Sequence, residues 1–259
     1  MKINILGAGN VATHLVKAFV NSGNEVSVWN RSSAHLTRIS EDSICYYCTD
    51  NISLLPKDVD LYIISVKDDA VANVANMLSK TILNKEIPVV HTSGSLPLGI
   101  LTPFFENPGV LYPLQTFTKD KQIDYKSITF FIEGTNCSLK LLQRLLKHVS
   151  TNIYILDSNE RKILHLASVF ACNFINHDIA IASKLLSKIE IPLSVLFPII
   201  SETIKKIESL SPIEAQTGPA VREDFNIIDE HVRLLSDFPS EKKIYVDTTN
   251  NIIRYKHLK

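Results

Sequence analysis

The sequence predicts an α/β protein: a doubly wound, mostly parallel sheet followed by an all-helical C-terminal region. Three observations carry this. A short apolar strand, residues 2–6, runs into a glycine turn and then a helix. Strand-like apolar runs alternate with helical spacing as far as about residue 156. Beyond residue 157 apolar residues recur only at helical spacing.

The strand KINIL ends at Gly7. Val11, Leu15, Ala18 and Phe19 then mark a helix over 10–21, which Gly23 stops. EVSVW (25–29) is a second strand, and residues 43–48 offer a third. DLYIISV (60–66) is apolar almost throughout, as expected of a parallel strand covered on both faces. A helix is predicted over 69–83, then the strand IPVVH (87–91) with the polar turn Thr92-Ser93-Gly94-Ser95. Residues 109–112 and 127–132 are two more strand candidates. Asp157-Ser158-Asn159-Glu160 is an N-cap cluster. It opens an apolar-periodic stretch from Arg161 to Ile189, ended by Pro192, with further helices at 193–208, 222–237 and 241–257. The domains are thus expected at 1–156 and 157–259. No Gly/Ser-rich linker divides them, so close packing is expected.

The 259 residues include 27 basic and 27 acidic side chains, so formal net charge is zero. No basic tract suggests nucleic acid. No apolar run reaches the roughly 18 residues of a membrane span. The apolar start MKINILGAG is too short for a signal segment and leads straight into the glycine turn. A cytoplasmic enzyme is the expectation. Of four cysteines, Cys45 and Cys48 form a C-x-x-C. A redox or metal role would want a second pair. Strand alternation would also send residues three apart to opposite faces, which favours a structural reading. No metal site is expected.

Gly7-Ala8-Gly9-Asn10-Val11-Ala12 is G-x-G-x-x-A between a strand and a helix. Gly7 permits the tight turn, Gly9 lets backbone approach a pyrophosphate, and Ala12 lets helix and strand pack closely. The helix N-terminus offers N–H groups to the phosphates. With a second strand behind it, this is a dinucleotide-binding unit of Rossmann type. NAD enzymes carry Asp or Glu at the end of that second strand. Here it reads Trp29-Asn30-Arg31-Ser32, without a carboxylate. Arg31 can fork onto a 2′-phosphate and Ser32 can donate to it, so the expected cofactor is NADP. The expected cofactor contacts are Gly7, Ala8, Gly9, Asn10, Val11, Asn30, Arg31 and Ser32. Val66 and Lys67, at the end of another strand, join them.

Ligands of an open α/β sheet lie beyond the carboxyl ends of its strands. Ser93 stands there, as a substrate contact or as the cap of a helix near residue 96. On the long helix, Lys162, His165, Asn173 and Asn176 share an arc of roughly 80°, a polar stripe on an otherwise apolar and supposedly buried helix. His165 could give a proton to a carbonyl or imine as hydride arrives, and Asn173 could hold the substrate. Satisfied hydrogen bonds between helices are the competing reading of both. Arg222, after the breaker Gly218-Pro219, could clamp a carboxylate or pair structurally with Asp224.

The segments GAGNVA, VWNRS, HTSGS, YPLQTF (112–117), RKILHLASVFACNF (161–174) and QTGPAVRED leading to His231 occur in order over nearly the whole chain. With them the chain resembles the Rossmann-like oxidoreductases whose C-terminal helical domain is known as domain of unknown function 2520. That group is similar to the F420-dependent NADP oxidoreductases, pyrroline-carboxylate reductases and ketopantoate reductases. The resemblance implies an NADP-linked reductase and a helical domain like that of 6-phosphogluconate dehydrogenase. It also implies a small substrate held between the domains and a homodimer built by the C-terminal helices. A deazaflavin substrate and a non-catalytic NADP sensor are the alternatives. The β-hydroxyacid dehydrogenase relatives pair a catalytic Lys with an Asn four residues on. Lys162 is followed at that spacing by Leu166, so that pair does not carry over.

Overall fold

The computed structural model describes residues 1–41, 45–82, 84–118 and 121–257. Eight strands form one sheet: β1 (Lys2–Leu6), β2 (Glu25–Trp29), β3 (Tyr47–Thr49), β4 (Leu61–Ile64), β5 (Val89–His91), β6 (Pro108–Leu114), β7 (Thr129–Gly134) and β8 (Ile153–Ile155). Their order is β3-β2-β1-β4-β5-β6-β7-β8, and only the β6–β7 pairing is antiparallel. The order reverses between β1 and β4, which opens the ligand crevice of a doubly wound sheet at their carboxyl ends.

Strand alternation explains why both faces are apolar. Ile3, Ile5, Leu61 and Ile63 enter one core with Leu15 and Phe19 of α1 (Asn10–Asn21). Leu6, Tyr62 and Ile64 point the other way. The first core also takes Leu36 and Ile39 of α2 (Ser33–Glu41). The second takes Val71, Val74 and Leu78 of α3 (Val71–Thr81). Leu142, Leu145 and Leu146 of α4 (Asn136–Leu146) close the first core over β7.

Neither α2 and α4 nor the three-residue edge strand β8 is among the elements expected from the sequence. The expected third strand is shorter than 43–48: β3 begins at Tyr47, and residues 43 and 44 lie outside the described residues, as does Leu83 at the end of the expected helix 69–83. Cys45 therefore precedes the strand. The opposite-face argument does not apply to it, and Cys45 and Cys48 are joined as a disulfide.

The chain divides into two compact units, Met1–Val169 and Phe170–Lys259, the first of which takes in the start of the long helical stretch. The reason lies in α5 (Ser158–Ser168), whose first turns are tied to the sheet. Asp157 and Glu160 form a capping box at its start, a device that typically adds about 1 kcal/mol. A π-helical turn, Val169–Phe174, follows, and then α6 (Ile175–Leu186). The second unit continues with α7 (Phe197–Ser209), α8 (Pro212–Ala215), α9 (Pro219–Arg222), α10 (Phe225–Leu234) and α11 (Pro239–Lys256).

The long helical stretch does not bury its apolar stripe within the chain. Ile163, Leu166, Phe170 and Phe174 are exposed, whereas Arg161 is only 1% accessible. Expecting a buried stripe here took helical spacing as proof of an intrachain partner, and spacing shows only that the residues share a face. Among the described residues no helix is long and apolar enough to cross a membrane.

Candidate active site

At the switch point, Gly7 adopts φ +125°, and a Cβ there would lie 2.0 Å from the Ser65 carbonyl oxygen and 3.2 Å from Val66 Cγ1. Only glycine lets β1 turn so close beneath the end of β4. Gly9 is a different case: a Cβ on it would meet no atom within 4 Å. Its bare backbone instead opens a cradle in front of α1. No side chain caps that helix and its first turn holds no acid, so its N–H groups suit an anion. These residues fit the pyrophosphate of a dinucleotide.

Asn10 is exposed at the loop, but its amide already donates to the Phe117 carbonyl at 2.9 Å. One turn on, buried His14 lies 2.8 Å from the Thr118 carbonyl through Nε2 and 3.1 Å from the Tyr125 hydroxyl through Nδ1. The Thr118 carbonyl accepts from Nε2, and the Tyr125 hydroxyl is the partner of Nδ1. Both contacts pin the chain after β6 beside the glycine turn, and sequence reading missed His14.

Past β2, the Asn30 amide donates to the Ser32 carbonyl at 2.9 Å, while Arg31 and Ser32 are exposed. Among the described residues no hydrogen bond or ion pair engages the Arg31 guanidinium. Lys67 is exposed beyond β4, and Val66 is half-buried against the glycine turn.

The loop after β5 holds the second cluster. The Ser93 hydroxyl accepts from the N–H groups of Ser95 (3.1 Å) and Leu96 (3.0 Å), so it shapes the loop. Ser95 donates to the Asp68 carboxylate. His91 is fully buried, and its Nδ1 accepts the Ser93 N–H at 3.2 Å. Burial first, and then the Arg161 charge, push its pKa down to about 4. The imidazole is therefore neutral with its proton on Nε2.

Gly94 is where this loop meets α5. A Cβ on Gly94 would stand 2.8 Å from His165 Nδ1 and 2.8 Å from Tyr112 Cζ. The two rings meet edge to face, with Tyr112 Oη 3.1 Å from His165 Nδ1. Burial pushes the Tyr112 hydroxyl up, so it stays a phenol that can donate. If it donates to Nδ1, the proton of neutral His165 sits on Nε2. Register places Tyr112 two residues beyond the Val110 that pairs His91, at the carboxyl edge where ligands bind.

His165 is held there by its own helix. Four residues earlier, Arg161 donates to the Glu133 carboxylate of β7 and to the Leu96 carbonyl. The Ser158 hydroxyl donates to Glu133 at 2.9 Å and accepts the Leu98 N–H at 2.9 Å. Sequence reading missed Tyr112, Arg161 and Glu133. Tyr112 did carry a signal, as the first residue of YPLQTF. The ion pair carried none, because its partners are 28 residues apart.

Asn173, in the π turn, and Arg222, ending α9, are exposed residues of the second unit. Asp224 does not pair with Arg222. It caps α10 by accepting the Ile227 N–H at 3.4 Å. His231 Nδ1 lies 2.8 Å from the Tyr245 hydroxyl.

Residues 2–93 match the family described as NADP oxidoreductase, coenzyme F420-dependent, and residues 128–252 match domain of unknown function 2520. The crystal structure of "putative NADP oxidoreductase BF3122" from Bacteroides fragilis is similar over 98% of both chains, at 37% identity and TM-score 0.91. A reductive aminase from Aspergillus terreus, crystallised with NADPH and ethyl-5-oxohexanoate, shares the fold at 13% identity, covering 98% of this chain and 92% of its own, with TM-score 0.74. The glycerol-3-phosphate dehydrogenase [NAD(P)+] of Leuconostoc citreum is 24% identical over 69% of this chain. The chain spans 54% of that relative's length.

A glycine turn at the switch point of this sheet, seen with these likenesses, defines an NADP-dependent oxidoreductase. The chain belongs to the family of the Bacteroides fragilis protein.

Proposed function

We propose that this chain reduces a carbon–oxygen or carbon–nitrogen double bond in a small substrate, with His165 as proton donor. The observation that carries the reading is the His165–Tyr112 pair against Gly94 at the carboxyl edge of the sheet. NADPH, when bound, supplies the hydride. The chain's own groups do the rest. Gly7, Ala8, Gly9 and the first N–H groups of α1, at Asn10 and Val11, hold the pyrophosphate. Asn30, Arg31 and Ser32 hold the 2′-phosphate, and Val66 and Lys67 line the cofactor's course beyond β4. His165 gives its Nε2 proton to the oxygen or nitrogen that gains charge, while the Tyr112 hydroxyl fixes the ring through Nδ1. Ser93 shapes the loop beneath the ring, and Asn173 and Arg222 are offered as substrate contacts. The direct test is NADPH oxidation against keto acids, cyclic imines and an oxidised deazaflavin. Turnover of the deazaflavin alone would replace the carbonyl or imine reading.

The cofactor half has its own test. Arg31→Asp removes a charge-assisted bond worth about 1.5–3 kcal/mol, so NADPH should bind roughly 10–100-fold more weakly. NADH affinity should hold or improve. Isothermal titration of both cofactors measures this, and a variant that still prefers NADPH would sink the assignment.

We also infer a homodimer through the C-terminal helices. Ile189, Val195, Phe197 and Ile199 are all exposed in the second unit, a density of apolar surface unusual for a lone subunit. Sedimentation velocity is expected to show a dimer at micromolar concentration. Phe197→Glu with Ile199→Glu should shift it to monomer.

A further inference from the structure

The disulfide between Cys45 and Cys48 has no part in the proposed reaction. A bridge across three residues closes so small a loop that it removes little freedom from the unfolded chain, which makes it a weak staple. What it constrains is the start of β3. The Tyr46 N–H donates to the Val26 carbonyl at 2.7 Å, and Cys48 sits opposite Val28. One residue on, the Thr49 carbonyl accepts the Asn30 N–H at 3.2 Å, and the Asp50 carbonyl accepts the Trp29 indole N–H at 3.0 Å. The bridge thus abuts the contacts that set where β2 ends, two residues before Arg31. Both cysteines are half-buried and line an open cleft with Ser33, Thr49 and Asp50, so a small thiol can reach the sulfurs.

We propose that Cys45 and Cys48 form a reversible thiol–disulfide site that sets the shape of the 2′-phosphate end of β2. The exchange partner is a low-molecular-weight disulfide of the glutathione class. One cysteine thiolate attacks it, forms a mixed disulfide and expels one small thiolate. The second cysteine thiolate then attacks the mixed disulfide, closes the Cys45–Cys48 bond and expels the other. Two cysteine thiols are oxidised, one external disulfide becomes two thiols, and both protons pass to the leaving thiolates. The effect on cofactor rests on the reading of Arg31 above, while the exchange itself does not.

The test uses the full chain equilibrated with oxidised or reduced glutathione. Thiol titration after denaturation should find two thiols in the oxidised form, Cys137 and Cys172, and four in the reduced form. NADPH should bind roughly 3–10-fold more weakly to the reduced form, as expected for a shift of about 1 kcal/mol, with NADH changed less. A Cys45→Ser, Cys48→Ser variant should bind NADPH like the reduced form and ignore glutathione. Four thiols in both buffers would overturn the exchange. A preference for NADPH that is the same in both redox states would overturn the switch. No preference in either state would mean instead that the Arg31 reading fails.

Discussion

Replacing His165 with Ala is expected to lower kcat by two to three orders of magnitude, in the range usual for losing a general acid. NADPH affinity should stay within about twofold, because the residues proposed to hold NADPH all lie between Gly7 and Lys67. A merely structural histidine would instead lower thermal stability and leave kcat of the surviving protein near wild type. Gly94→Ala supplies a second test that leaves the imidazole in place. Its Cβ would fall within 3 Å of both His165 and Tyr112, so both rings must move. Loss of kcat comparable to that in His165→Ala, with NADPH binding retained, would show that position and not merely presence is required. Full activity in both variants would remove His165 from the mechanism.

Arg161→Met is expected to cost about 3–5 kcal/mol, the usual result of removing one partner from a buried ion pair. Arg161 is 1% accessible and the Glu133 carboxylate 15%, so solvent cannot replace the lost charge. The melting temperature should fall by on the order of 10 °C for a chain of this size. Adding Glu133→Gln should restore part of the loss, since the orphaned charge is then gone. Urea unfolding of the single and double variants measures both. A loss under 1 kcal/mol in the single variant would mean that the pair does not anchor α5.

The strands of the nucleotide-binding half were legible because their apolar runs are continuous, as burial on two faces requires. The cradle was legible because turn, backbone approach and helix packing each demand a small residue at a fixed place. α2 and α4 were not named: α2 is short, whereas α4 did carry a signal in the helical spacing of Leu139, Leu142, Leu145 and Leu146. His165 could be named from its place on a helical stripe, but not told from a structural histidine.

The sequence by itself determined most strands of the sheet, the glycine turn and the missing carboxylate after Trp29, since each is written in neighbouring residues. Only the tertiary structure decided that Tyr112 meets His165, that Gly94 makes room for both, and that Glu133 pairs with Arg161. Those residues lie 18 to 71 positions apart along the chain, roughly, and no local period encodes a contact that the crossing of strands and helices creates. The same holds for Cys45 and Cys48, close in sequence, whose pairing turned on where β3 begins.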